Sequence, residues 1–446
     1  AMDSDVQVVE SCLVAPCEET PRRALALSPL DLLLANRGHT PIVYFYLAPP
    51  RSSTSPFAAG DGGFFDVARM KTAMGKALVA FYPLAGRLTV DDDRDQLQID
   101  CNAEGALFVV ARCTGLAIDD FDGLGPSPEL KHLFVPRVDA SSPIMMAVQV
   151  TFLRCGGVAL GTAVHHAAVD AIGAFHFFQT WSALCRDGDG AVVELPCHDR
   201  TLLGARSPPV VHPDALSVFC PTLKLCQAPS DHPVVSEVIS FSGDQVAGLK
   251  NACGGGVSTF SAVSAHVWRC VCVARRLPAD AKTRLTFPAS IRRCMSPPLP
   301  SRYFGNTIIW LCAAGLVEDI TSPDALPAVA GRISGAVRRM DDELARSAID
   351  YFEMTLEKGS GRPSPSPPGN VVATDLRVVS WLRMPVYDVD FGWGKPTQMQ
   401  RAESERGGFV YLINGDDDGG GGGMHMVVCM EAANLMEFKR QLYTKL

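Results

Sequence analysis

At 446 residues the chain exceeds the ~250–300 at which a single hydrophobic core stops growing, so two domains are expected. Its 47% hydrophobic and 20% charged residues describe an ordinary globular protein. A net charge of −8 argues against nucleic acid as the main partner, although a local basic pocket can still hold an anionic small ligand. No run approaches the ~18 consecutive apolar residues of a membrane span, and the acidic start Met2-Asp3-Ser4-Asp5 lacks an apolar signal core, which points to a cytoplasmic chain without membrane contact.

Val6 to Val9 read as a strand and Pro16 to Pro21 as a loop. The β-branched and aromatic run Ile42-Val43-Tyr44-Phe45-Tyr46 predicts a strand, followed by a Ser/Gly/Pro-rich loop from Pro49 to Gly63. Apolar residues at helical spacing (Val67, Met70, Ala73, Leu78, Phe81) predict a helix over Asp66 to Tyr82, stopped by Pro83. Ile144 to Leu153 and Val158 to Val164, hinged at Gly156-Gly157, read as a β-hairpin, and Ala171 to Cys185 as a helix. The first domain is placed at residues 1–200, a crossover linker at 201–215, and the second domain at 216–446. In the latter, a strand near Val235, a helix from Asp244, a helix from Ser258 to Arg275, a strand at Leu285-Thr286-Phe287 and helical structure over Pro323 to Met354 are expected. Lys358 to Asn370, rich in Gly, Ser and Pro, and the glycine run after Asp416-Asp417-Asp418 should be exposed loops.

Fifteen cysteines, an odd number, lie scattered in apolar runs such as Trp268-Arg269-Cys270-Val271-Cys272. No CxxC pair accompanies them, so reduced thiols fit better than zinc or disulfides.

The hairpin delivers His165-His166-Ala167-Ala168-Val169-Asp170 to a strand-to-helix turn, a common place for catalytic groups. Imidazole is the natural general base near neutral pH, and a carboxylate four residues on can orient it or brace its turn. An isolated HxxxD is more often a core histidine beside a helix cap. The second unusual string, Asp390-Phe391-Gly392-Trp393-Gly394, has two glycines flanking a tryptophan and alone would be a structural turn.

Together the two strings resemble the paired HxxxD and DFGWG signature of the plant BAHD acyltransferases. The resemblance spans the chain: Leu27-Ser28-Pro29-Leu30-Asp31, Tyr82-Pro83-Leu84-Ala85-Gly86-Arg87, Cys101 to Phe108 and Tyr303-Phe304-Gly305-Asn306 are similar to further family strings. It implies an α/β fold of two chloramphenicol-acetyltransferase-like mixed-sheet domains with an active-site channel at their interface, in a monomer. It also implies acyl-CoA-dependent acyl transfer in a ternary complex, with His166 deprotonating the acceptor. Asp170 would brace the loop by pairing with an arginine. Asp390, with Gly392 and Gly394, would support the site by an ion pair to Arg292, which stands where the family has a DGR string but here follows Ser290-Ile291. Trp393 is the candidate oxyanion donor. No metal or cofactor is implied, acyl-CoA being a co-substrate.

His39 to Tyr46 resembles the HTPSVYFY segment of hydroxycinnamoyl-CoA:shikimate/quinate hydroxycinnamoyltransferases, as do Glu10-Ser11 and Glu19-Thr20-Pro21. An aromatic acyl group, hydroxycinnamoyl or benzoyl, is therefore expected, with Thr40, Ile42 and Tyr44 lining the acceptor pocket. Ile42 replaces the branch's serine. No arginine stands at the spacing of the shikimate-carboxylate handle, Arg362 and Arg377 being displaced from it. A buried carboxylate without a partner is costly, so an amine such as tryptamine or tyramine is favoured, with shikimate, quinate or another hydroxyl acceptor as the alternative. Ser258, Thr259 and Arg293 are candidates for CoA, with Arg284 and Arg302 also within the expected reach of its phosphates. A silent binding paralogue, a peptide-synthetase condensation domain and a thioesterase are the competing readings. The intact His166 opposes the first, and the DFGWG string without a carrier domain opposes the second. CoA release without any acceptor would mark the third.

Overall fold

A computed structural model describes residues 6–49, 63–123, 125–139, 141–221, 225–226, 233–358, 369–403, 406–415 and 422–444. The expected loops after Pro49, after Lys358 and after Asp416 lie mostly outside the described residues.

Two six-stranded mixed sheets organise the chain. In the first, strands Val6–Val14, Ala106–Cys113, Met146–Leu153, Val158–His165, His39–Tyr46 and Gln398–Arg401 lie side by side in that order. The second runs Val234–Phe241, Met424–Glu431, Phe409–Asn414, Asp375–Trp381, Lys282–Ser290, Ile308–Leu316. The parallel joins, Ala106–Cys113 on Met146–Leu153 and Asp375–Trp381 on both neighbours, are buried on both faces, as parallel pairing demands. Helices Val67–Ala80 and Ala171–Asp187 pack against each other beside the first sheet, and Thr259–Ala274 supports the second. Two of the predicted helix starts carry the expected cap: Asp66 accepts from the Arg69 N–H and Ser258 from that of Ser261.

The two halves are not separated at residue 200. The strand Gln398–Arg401 leaves the C-terminal half to pair with His39–Tyr46 in the first sheet, with Arg401 opposite Ile42. Phe304, Trp381, Phe391, Phe409 and Tyr411 likewise join the apolar cluster of the N-terminal half. Residues 200–210 are fixed in place: Arg200 is buried against Asp31, and Arg206 is held by Asp350 at 2.6 Å and Glu343 at 3.0 Å. The C-terminal half thus contributes a strand and core side chains to the N-terminal one. No helix among the described residues is long and apolar enough to cross a membrane.

Candidate active site

The strand Val158–His165 is buried along its whole length and ends in register with His39. The next residue, His166, donates its backbone N–H to the Gly38 carbonyl at 2.8 Å and turns its ring into a cavity of about 830 Å³. Asp170 then caps the helix Ala171–Asp187 by accepting from the Gly173 N–H at 3.2 Å. His165 points elsewhere: its Nδ1 accepts from the Ala167 N–H at 3.1 Å and its ring meets His39 edge-on.

Asn306 decides which nitrogen of His166 is the base. Its Nδ2 donates to Asp31 at 2.8 Å and to the His166 carbonyl at 2.7 Å, which fixes the amide orientation. The Asn306 Oδ1, 3.1 Å from His166 Nδ1, can then only accept. Nδ1 therefore carries the proton and Nε2 keeps its lone pair. Burial, reinforced by the nearby Arg37, lowers the His166 pKa to about 4, so the ring is neutral at pH 7. Asp31, fully buried, anchors this array by also accepting from Ser28 and Arg200. A Cβ on Gly305 would stand 1.7 Å from Arg200 Nη1, so only glycine lets that guanidinium reach Asp31.

Asp170 does pair with an arginine, and the arginine is Arg292. The contact is bidentate, at 2.7 and 3.0 Å, and Thr307 adds its N–H at 3.1 Å and its hydroxyl at 2.9 Å. Burial alone would raise the Asp170 carboxyl, but Arg292 reverses this and holds it below the ordinary range. The expected Asp390–Arg292 ion pair is thus incorrect, because Arg292 is committed to the other carboxylate. Asp390 instead accepts from the N–H groups of Gly392 at 2.8 Å and Gly394 at 3.0 Å, closing its own turn. Both glycines have φ near +105°, which a side chain would strain. Phe391 is buried against Trp181, and Tyr46 donates to the Val389 carbonyl at 2.7 Å, so the string clasps the C-terminal segment to the N-terminal core.

Other expectations divide. Thr40 and Ile42 line the cavity. Tyr44 does not: it is sealed in the core beside Phe178, and burial pushes its phenol well above the usual range. Trp393 is not an oxyanion donor, since it lies outside the cavity, stacked on Phe65 at 5.2 Å and under Arg69. Ser258, Thr259 and Arg293 also lie outside the cavity, where Ser258 serves as a helix cap. Arg284 is bound to Asp375 at 2.6 Å and Arg302 to Glu194, so neither stands ready for a phosphate.

The cavity wall is cationic, against the expectation that a carboxylate would find no arginine. Arg37, Arg377, Arg401, Arg406 and Lys131 line it, whereas its acids are Glu403, paired with Arg401, and Asp170, paired with Arg292. Arg377, displaced from that spacing in sequence, nevertheless lines the cavity. Arg362 lies outside the described residues.

A family model described as the Transferase family matches residues 4–445. The chain belongs to this family, the BAHD acyl-CoA-dependent acyltransferases. It is 43% identical to putrescine hydroxycinnamoyltransferase 1 of Oryza sativa subsp. japonica, with 99% of each chain covered. It is 38% identical to a hydroxycinnamoyl-CoA:5-hydroxyanthranilate N-hydroxycinnamoyltransferase of Avena sativa, over 88% of this chain and 90% of that one. Vinorine synthase shares the fold with a TM-score of 0.76 at 25% identity, over 99% of this chain and 98% of the other.

Asp31 and Asn306 were missed as functional residues. Both fall inside strings that the sequence singles out, Leu27 to Asp31 and Tyr303 to Asn306, but nothing local relates either one to His166. They lie 275 positions apart and meet only in the fold.

Proposed function

We propose that this protein transfers a hydroxycinnamoyl group from CoA to the amino group of a small acceptor, with His166 Nε2 as the general base. The neutral amine attacks the thioester carbonyl, its N–H proton passes to Nε2, and collapse of the tetrahedral intermediate expels the CoA thiolate, which takes that proton back. The observation that carries this reading is the array Asp31–Asn306–His166, which leaves one unprotonated nitrogen facing the cavity.

The relatives named for putrescine and for 5-hydroxyanthranilate support an amine over a hydroxyl. For the donor, Thr259, the first residue of the helix that Ser258 caps, and the exposed Arg293 are the proposed contacts with CoA.

The test is thiol release from p-coumaroyl-CoA, followed together with the mass of the product. Release that depends on an added amine, with the amide formed in equal amount, is expected. Release at the same rate without acceptor would replace this reading with a thioesterase, and turnover confined to hydroxyl acceptors would replace it with O-acylation.

A further inference from the structure

We infer that the acceptor is an amine that also carries a carboxylate, and that Arg377, with the guanidiniums clustered beside it, binds that carboxylate in the cavity that holds His166. The inference rests on the acyl-transfer reading above and names the acceptor class for it.

Arg377 is only 1% exposed, lies on the buried strand Asp375–Trp381, and lines the cavity. Its Nε donates to the Thr286 hydroxyl at 3.2 Å, and its guanidinium lies 4.1 Å from the centre of the Trp310 ring. Both terminal nitrogens, Nη1 and Nη2, are buried without a hydrogen-bond partner. An aromatic face attracts a cation but leaves its N–H donors unmatched. A buried guanidinium with open donors is costly unless something anionic meets it.

Its surroundings make the mismatch larger. Arg37 lies over the same Trp310 ring at 5.1 Å, Arg406 over Phe409 at 4.2 Å, and Arg401 between Trp381 at 4.4 Å and Tyr411 at 4.5 Å. Only Arg401 has a carboxylate, Glu403, among the described residues. Burial and repulsion from Arg37 and Arg406 lower Arg377 to about 9, so it remains charged at neutral pH. Four guanidiniums with one carboxylate form a net positive site with aromatic walls.

That site selects among amines. A diamine such as putrescine is a dication at neutral pH and would enter against the field of every one of these groups. An aromatic amine is uncharged, so its nitrogen is nucleophilic as it arrives. A ring carboxylate on it would take the open Nη1 and Nη2 donors in the fork geometry that guanidinium offers. The phosphates of CoA suit the cluster less well. The pantetheine arm holds them many bonds from the sulfur that must reach His166, while a small acceptor places its carboxylate and nucleophile in one cavity.

The experiment compares 5-hydroxyanthranilate with its carboxamide, and both with putrescine, tyramine and shikimate, using p-coumaroyl-CoA and the unmodified protein. We expect kcat/KM to fall about 10- to 100-fold from the acid to the carboxamide, and the cationic amines to be poorer still. Arg377→Met should raise KM for the acid by a similar factor, leave KM for p-coumaroyl-CoA unchanged, and hardly affect the carboxamide. Equal turnover of acid and carboxamide, putrescine as the better acceptor, or a rise in KM for the acyl-CoA alone would overturn the inference. Should the variant fail to fold, the ratio of acid to carboxamide on the unmodified protein decides. Shikimate turned over in place of every amine would overturn the inference as to the amine and leave only its carboxylate contact. If no acceptor is acylated, the acyl-transfer reading fails by itself. Calorimetric binding of acid and carboxamide then tests the carboxylate site, and equal affinities overturn it.

Discussion

Asp170 caps the helix Ala171–Asp187, is 2% exposed, and receives hydrogen bonds from Arg292, Thr307 and the Gly173 N–H. Asp390 lies on a surface cleft of about 420 Å³ and receives two backbone N–H groups from its own turn. Both are acids of family strings, and neither touches the reacting atoms. The first holds an element that carries the base, so its loss propagates to His166. The second closes a clasp whose contacts are with Trp181, Tyr46 and Phe65, away from the cavity. The comparison separates two kinds of support: one sets the position of a catalytic group, and the other keeps a distant segment attached.

The largest effect is expected at the base itself. His166→Ala should lower kcat/KM on the order of 10²–10⁴-fold with the fold retained, because it removes the base and, besides it, a single side-chain hydrogen bond, the one to Asn306. Residual activity near that of the unmodified protein would place the base elsewhere. Asp170→Ala should act on stability first. It strands Arg292 in the interior without its carboxylate, at a cost of about 3–5 kcal/mol, against a total of about 5–15 kcal/mol for a folded protein. Poor soluble yield is expected, and a variant melting like the parent would refute the bracing role.

Titration tests the buried histidines together. His165 is lowered by burial to about 3, His166 and His198 to about 4, all below the ordinary value of 6.5. Each is neutral in the fold, while the unfolded chain binds the proton more readily between about pH 4 and 6.5. Their contribution is therefore complete above about pH 6.5 and is lost as pH falls towards 4. The melting temperature should drop across that window. The acid limb of kcat/KM should lie near pH 4, and a limb near 6.5 would mean that His166 is solvated.

Strand and helix periodicity made much of this fold legible, because the elements around the site are regular: Val158–His165 is mostly apolar and buried throughout, and Val67–Ala80 repeats at helical spacing. The role expected of His166 followed from its HxxxD string taken together with Asp390 to Gly394 and the other family strings. What stayed hidden depends on groups that are distant in sequence. Arg292 lies 122 positions from Asp170, and only the fold chooses Asp170 over Asp390 as its partner. Arg377 was discounted because its spacing from Trp381 did not match a known handle, yet the sheet places it in the cavity from another angle. Linear spacing predicts contacts within a strand or helix. It does not predict which side chains from separate strands face one space.

The clasp yields the smaller effects. Asp390→Ala removes the acceptor for two backbone N–H groups at a partly exposed site, about 1 kcal/mol by ordinary hydrogen-bond energetics, so the melting temperature should fall by a few degrees with acceptor preference intact. A changed preference with stability intact would show that the string reaches the cavity. Trp393→Phe should change least of all. Phenylalanine keeps the stacking on Phe65 and a face for Arg69, and loses only the indole N–H. Were that N–H aimed at the oxyanion, its removal would lower kcat on the order of 10²–10³-fold. The position of Trp393 outside the cavity predicts a kcat within about twofold of the parent, because an N–H that cannot reach the thioester carbonyl has no transition-state charge to stabilise.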